Sequence, residues 1–145
     1  MDILSISIIF FCIMEFSNVL ILYFNPESKL GNGVGAFNTF KDIKKDEELN
    51  LFSHYMVYWV AGVKLIFIFL LVVILLTGTE VTRLYAVIAM IISISTYFIK
   101  LHPIIKKLDK MSKIKPKGYS MTVGLMLSIF LIVFSFALIS HLFLI

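Results

Sequence analysis

Glu15 and Lys64 each fall near the middle of a long apolar run, residues 3–24 and 55–76. A charge at the centre of a membrane span costs about 3 kcal/mol or more on insertion scales, so it marks a pairing or a task. An acid and a base so placed can do three things. They can form a buried ion pair that fixes which helix packs on which. They can serve transport or permeation of a small solute or ion, Glu15 taking and releasing a proton while Lys64 binds or blocks. They can also serve an enzyme acting on a lipid or lipophile. That last reading has the least support, since the chain has no paired-carboxylate arrangement, no HExxH and no nucleophile elbow.

Depth along the spans groups further polar residues with the pair. At about 1.5 Å per residue, Glu15 lies about nine residues from the inner end of the first span and Lys64 about ten from that of the second. The spans run in opposite directions, so both charges reach nearly one height. Ser93 and Ser128 fall at a similar height in the third and fourth spans. Asn18 is one turn from Glu15 on the same face, at the depth of Thr96. The expected polar layer is Glu15, Asn18, Lys64, Ser93, Thr96 and Ser128. Desolvation disfavours both charged forms, and facing each other the acid and base become one hydrogen-bonded unit.

The elements that position these groups follow from composition. Of 145 residues 60% are hydrophobic, and the mean hydropathy is +1.00. Four runs, residues 3–24, 55–76, 82–101 and 119–145, each reach the roughly 20 helical residues that a bilayer core requires. They show no dyad alternation, so helices are the expected spans. The fold class is an all-α, polytopic membrane protein, a single domain over 1–145 with four transmembrane helices.

The net charge of +4 invites a nucleic-acid reading, which the distribution rejects. Lysines crowd two connections: Lys29, Lys41, Lys44 and Lys45 in one, Lys106, Lys107, Lys110, Lys113, Lys115 and Lys117 in the other. The positive-inside rule puts both in the cytoplasm of a cell-membrane protein and both termini outside. The sole arginine, Arg83, also argues against a phosphate-reading surface. The first run is longer than a secretory h-region and has no basic lead-in, so it is expected to be retained. The one cysteine, Cys12, reads as a small apolar residue.

Local signals refine the elements. Ala36, Phe40 and Ile43 at helical spacing predict a short surface helix in the first connection. Asp46 reads as the N-cap of the second long helix. Tyr58 and Trp59 suit the aromatic belt. Pro103 opens an expected cationic amphipathic helix between the third and fourth spans, with Ile104, Leu108 and Met111 on one face and anionic headgroups as its partner. Thr82, Ala86, Ala89, Ser93, Thr96 and Lys100 share one face of the third span; Ser120, Gly124 and Ser128 share one of the fourth. Such rows let helices approach closely, so Ala86, Ala89, Ser120 and Gly124 are expected packing positions, and a homo-oligomer is the expected form. His54 and His102 are expected at the same interface, as amphipathic anchors rather than ligands. No metal or cofactor is expected.

Four spans with large loops on one side resemble the outline of the trimeric glutathione and eicosanoid membrane enzymes. That family places arginines around its second span, whereas Arg83 lies on the other side here. Outline alone carries no function.

Overall fold

A computed structural model describes residues 2–31 and 33–143. In chain order the elements are α1 (Ile3–Phe24), a 3-10 turn (Val34–Ala36), α2 (Phe40–Ile43), α3 (Glu47–Thr77), α4 (Glu80–Lys110) and α5 (Tyr119–Phe143). Among the described residues, α1, α3, α4 and α5 are long and apolar enough to cross a membrane. Residues 144 and 145 of the fourth expected span lie outside the described residues.

The helix starts are set by side chains. Asp2 accepts from the Ser5 amide, Asp46 from the Leu49 amide and Thr79 from the Thr82 amide. Each satisfies one of the orphan donors of a first turn. The expected Asp46 cap is therefore in place, and α3 begins two turns before the apolar run does.

The core sits around α1. Its buried residues Leu4, Ile8, Phe11, Val19 and Leu22 follow helical spacing. Phe11 packs edge-on to Phe130 of α5 at 5.0 Å between ring centres, and tilted against Phe134 at 5.6 Å. α1 lies between α3 and α5, and α5 also packs along α4. The Gly78–Thr79 turn makes α3 and α4 consecutive, and close neighbours are expected from it. Instead they touch sparingly, because α1 takes the packing face of α3 and α5 takes that of α4.

α4 runs without interruption through Pro103. The cationic segment is helical as expected, but it continues the third long helix instead of starting a separate one. A proline inside a helix removes one hydrogen bond and crowds the preceding turn. Packing outweighs that here: Ile105 is buried in a second apolar cluster with Ala36, Ile114, Tyr119 and Val123. The face turned inward is Ile105 and Leu108; Ile104 and Met111 are exposed.

The two lysine-rich connections meet at one end of the bundle. Phe37 and Ile114 form an antiparallel bridge. The Asn38 amide donates to the Lys113 carbonyl at 2.8 Å and the Lys115 amide to the Ala36 carbonyl at 2.7 Å. At the opposite end, Arg83 Nη1 lies 3.3 Å from Asp2 Oδ2 and donates to Ser5 Oγ at 3.0 Å. There too His141 Nδ1 is 3.5 Å from Glu80 Oε1. Burial would raise the Asp2 carboxyl, but hydrogen bonds from Ser5 and the Arg83 charge outweigh it and hold it below the ordinary carboxylate range.

Candidate functional site: an ion pair at the head of a lateral cleft

Each charge occupies a core position of its own helix. On α1 the inward series Leu4, Ile8, Phe11, Val19 and Leu22 has Glu15 in the gap, four residues after Phe11 and four before Val19. On α3 the buried series Val57, Ala61, Ile68 and Leu71 has Lys64 in its gap. Since α1 packs on α3, residues in register with the two inward series must face each other.

They do so at bonding distance. Lys64 Nζ donates to Glu15 Oε2 at 2.7 Å and to Asn18 Oδ1 at 2.7 Å. Asn18 Nδ2 in turn donates to the Gly31 carbonyl at 2.8 Å. Gly31 has φ +64°, and a Cβ there would stand 2.8 Å from Asn18 Nδ2 and 3.2 Å from Ile21 Cγ2. The left-handed backbone favours glycine, and a Cβ there would also have to push the Asn18 amide aside. The Lys64 side chain is 27% exposed and that of Glu15 13%, so the pair is not sealed.

The opening is a cleft of about 510 Å³ between α3 and α4, floored by α1 and α5. Met56, Val57 and Val60 form one wall, Leu101 and Ile105 the other, and Val123 lies in the floor. Tyr97 and Tyr119 also line it, and Glu15 and Lys64 are its charged residues. Small-molecule sites are commonly concave, apolar, a few hundred cubic ångströms in volume and supplied with a few placed polar groups. The cleft has each of these properties.

The other expected residues are distributed as follows. Ser93 and Thr96 are exposed, and Thr96 Oγ1 donates to the Ser93 carbonyl of its own helix at 2.7 Å. Ser128 Oγ donates to the Gly124 carbonyl at 2.8 Å. The Thr96 and Ser128 hydroxyls are bonded within their own helices and Ser93 is exposed, so the polar group assembled across helices is Glu15, Asn18 and Lys64 with the Gly31 carbonyl. Burial on α4 follows Val87, Met90 and Ile105, with Tyr97 and Leu101 in the cleft. The small-residue row is offset from that series by one residue, about 100° around the helix. Ala86 is thus partly buried against the core while Ala89 is exposed. On α5, Ser120 and Gly124 are both buried, and a Cβ at 124 would stand 3.0 Å from His102 Cε1.

The histidines have separate surroundings. A ring N–H of His54 is placed to donate from Nδ1 to the Asn50 carbonyl at 2.9 Å, and Nε2 is 3.8 Å from Glu27 Oε1. His102 Nδ1 is 3.3 Å from the Tyr97 hydroxyl. Among the described residues no group of three His, Cys, Asp or Glu side chains could hold a metal ion. Tyr58 packs against Tyr23 at 5.7 Å and Trp59 is exposed, as are Lys106, Lys107 and Lys110.

Sequence reasoning missed Gly31, Tyr97, Tyr119 and Asp109. Asp109 is the sole acid within the lysine-rich stretch, a signal that was available. It accepts from the Gly118 amide (3.1 Å), the Ser120 amide (3.1 Å) and Ser120 Oγ (2.7 Å), and so caps the start of α5 from the end of α4.

The chain matches no protein-family model, no curated protein and no solved structure. The site's chemistry therefore rests on its own geometry.

Proposed function

We propose that this small membrane protein binds and transports a lipophilic solute with a small, uncharged polar end, which enters sideways between α3 and α4 and is handled at Glu15 and Lys64. The observation that carries this reading is that the cleft reaches the pair. Its walls suit a hydrocarbon body, and its head holds two opposite charges that already neutralise each other. A charged solute would have to displace one partner from a 2.7 Å contact; a hydroxyl or carbonyl can join the network without breaking it. On the positive-inside rule the lysine-rich end is cytoplasmic, so the cleft would draw from the inner leaflet.

A photoreactive long-chain alcohol in proteoliposomes tests this. Labelling is expected on the cleft-facing stretches around Val60 and Leu101, and Val60→Trp, which fills the cleft, is expected to abolish it. Transfer of the same alcohol between leaflets is expected to fall in Glu15→Gln and in Lys64→Met. Labelling unchanged by Val60→Trp would overturn the cleft as the site, and transfer unchanged in both charge variants would remove the pair from the mechanism.

A second reading is favoured by the bonding itself. Lys64 is held by two acceptors on α1, so the pair can serve to fix α1 against α3. It predicts that both charge variants lose stability while labelling of the cleft persists.

A further inference from the structure

We propose that a second hollow, bordered by Lys29, Lys115 and Lys117, binds a phosphate-bearing anion. Its volume is about 440 Å³, and Ser112, Ile114 and Pro116 complete its rim together with Asp109. Lys29 comes from the first lysine-rich connection; Lys115 and Lys117 come from the second, more than eighty residues later. The Phe37–Ile114 bridge and the bond from the Lys115 amide to the Ala36 carbonyl hold the two connections together, so this grouping belongs to the fold.

The charge balance of the hollow is what points to an anion. Among the described residues, Lys44 and Lys45 are neutralised by Glu27 and Asp42, and Lys64 by Glu15. None of the three hollow lysines forms an ion pair within 4.0 Å in that set. The acid on the rim, Asp109, has both carboxylate oxygens engaged by the start of α5. Three lysines therefore border one concave site with a single carboxylate, Asp109, whose charge acts on Lys117 and offsets only part of theirs. A phosphate monoester or diester supplies the missing charge, and the Ser112 hydroxyl adds a hydrogen-bonding group at the rim.

Lys106, Lys107 and Lys110 provide the contrast. They are exposed on α4 and border neither cavity. Their attraction to an anionic surface is diffuse, whereas the hollow is discrete. The same phosphate chemistry is offered by an anionic lipid headgroup and by free phosphate, and the hollow lies at the end of the bundle where either could reach it.

The test compares two charge-matched triple variants in neutral detergent micelles. One is Lys29→Gln/Lys115→Gln/Lys117→Gln; the other is Lys106→Gln/Lys107→Gln/Lys110→Gln. Retention of phosphatidylglycerol against phosphatidylcholine is read by native mass spectrometry, and binding of inorganic phosphate by calorimetry. Three headgroup-strength lysine contacts correspond to roughly a hundredfold in affinity. The hollow variant is expected to lose at least about tenfold in phosphatidylglycerol or phosphate binding, and the α4 variant no more than about threefold. Equal losses in the two variants, or none in the hollow variant, overturn the proposal. If the hollow triple loses its helical circular dichroism, Lys29→Gln alone decides: a loss of about fivefold is expected, and unchanged affinity refutes the site. Phosphate that binds and displaces phosphatidylglycerol identifies the free anion as ligand; phosphatidylglycerol retained against excess phosphate identifies the lipid headgroup.

Discussion

Removing Lys64 isolates what the intramembrane pair contributes. At 2.7 Å and an effective dielectric near 20, the gross attraction between Lys64 and Glu15 is about 6 kcal/mol. Desolvating two ions costs several kcal/mol each, which takes back most of that. Measured interhelical hydrogen bonds inside a membrane protein average about 0.6 kcal/mol and reach about 1.7 kcal/mol. Lys64 makes two bonds to α1, to Glu15 and Asn18, so a net coupling of about 1–2 kcal/mol is expected. Lys64→Met also leaves the Glu15 carboxyl without a donor at a core position, which raises its total cost to about 2–4 kcal/mol. Glu15→Gln keeps a carbonyl acceptor for Lys64 and should cost about 1–3 kcal/mol. The double variant should regain about 1–2 kcal/mol relative to the sum. Reversible unfolding in mixed micelles, followed by helical circular dichroism and by the fluorescence of the sole tryptophan, Trp59, gives all four corners of the cycle. Strictly additive losses, or single variants within about 0.5 kcal/mol of the parent, would refute the coupling.

Two further outcomes follow from neighbouring geometry. Asp109→Ala removes three bonds to the start of α5 and should lower stability by about 1–2 kcal/mol in the same unfolding assay; a loss below about 0.3 kcal/mol would show that water replaces the cap. Gly31→Ala forces a Cβ into a left-handed backbone 2.8 Å from Asn18 Nδ2, and should cost about 1–3 kcal/mol while speeding amide hydrogen exchange around residues 26–36; an unchanged exchange pattern would contradict the required close approach.

The spans were legible because apolar length is a property of composition, and the Asp46 cap was legible because capping is local. The equal height of Glu15 and Lys64 could be counted along the chain. Their rotation could not, because both spans are apolar on every face, and the buried series whose gaps the two charges fill exists only in the packed bundle. Ser93, Thr96 and Ser128 show the limit of counting: height says nothing about azimuth, and a helical hydroxyl can satisfy itself on its own carbonyls. Pro103 misled because its local preference for a first turn was weighed without the cluster that buries Ile105. The cleft was not legible at all. It arises because α1 and α5 engage the faces that α3 and α4 would otherwise turn to each other, and that is decided by packing across the whole chain.

The closeness of the two intramembrane charges has an electrical consequence. A membrane potential exerts about 2.3 kcal/mol per elementary charge per 100 mV across the full membrane thickness. Opposite charges 2.7 Å apart form a small dipole with no net charge, so the field does almost no work when that part of the bundle shifts along the membrane normal. A bundle carrying Lys64 without its counter-charge loses that immunity: the voltage then pulls directly on α3. The pairing thus cancels the net charge on which a membrane potential would act at this point of the bundle, and losing either partner exposes to the field whatever charge the other keeps.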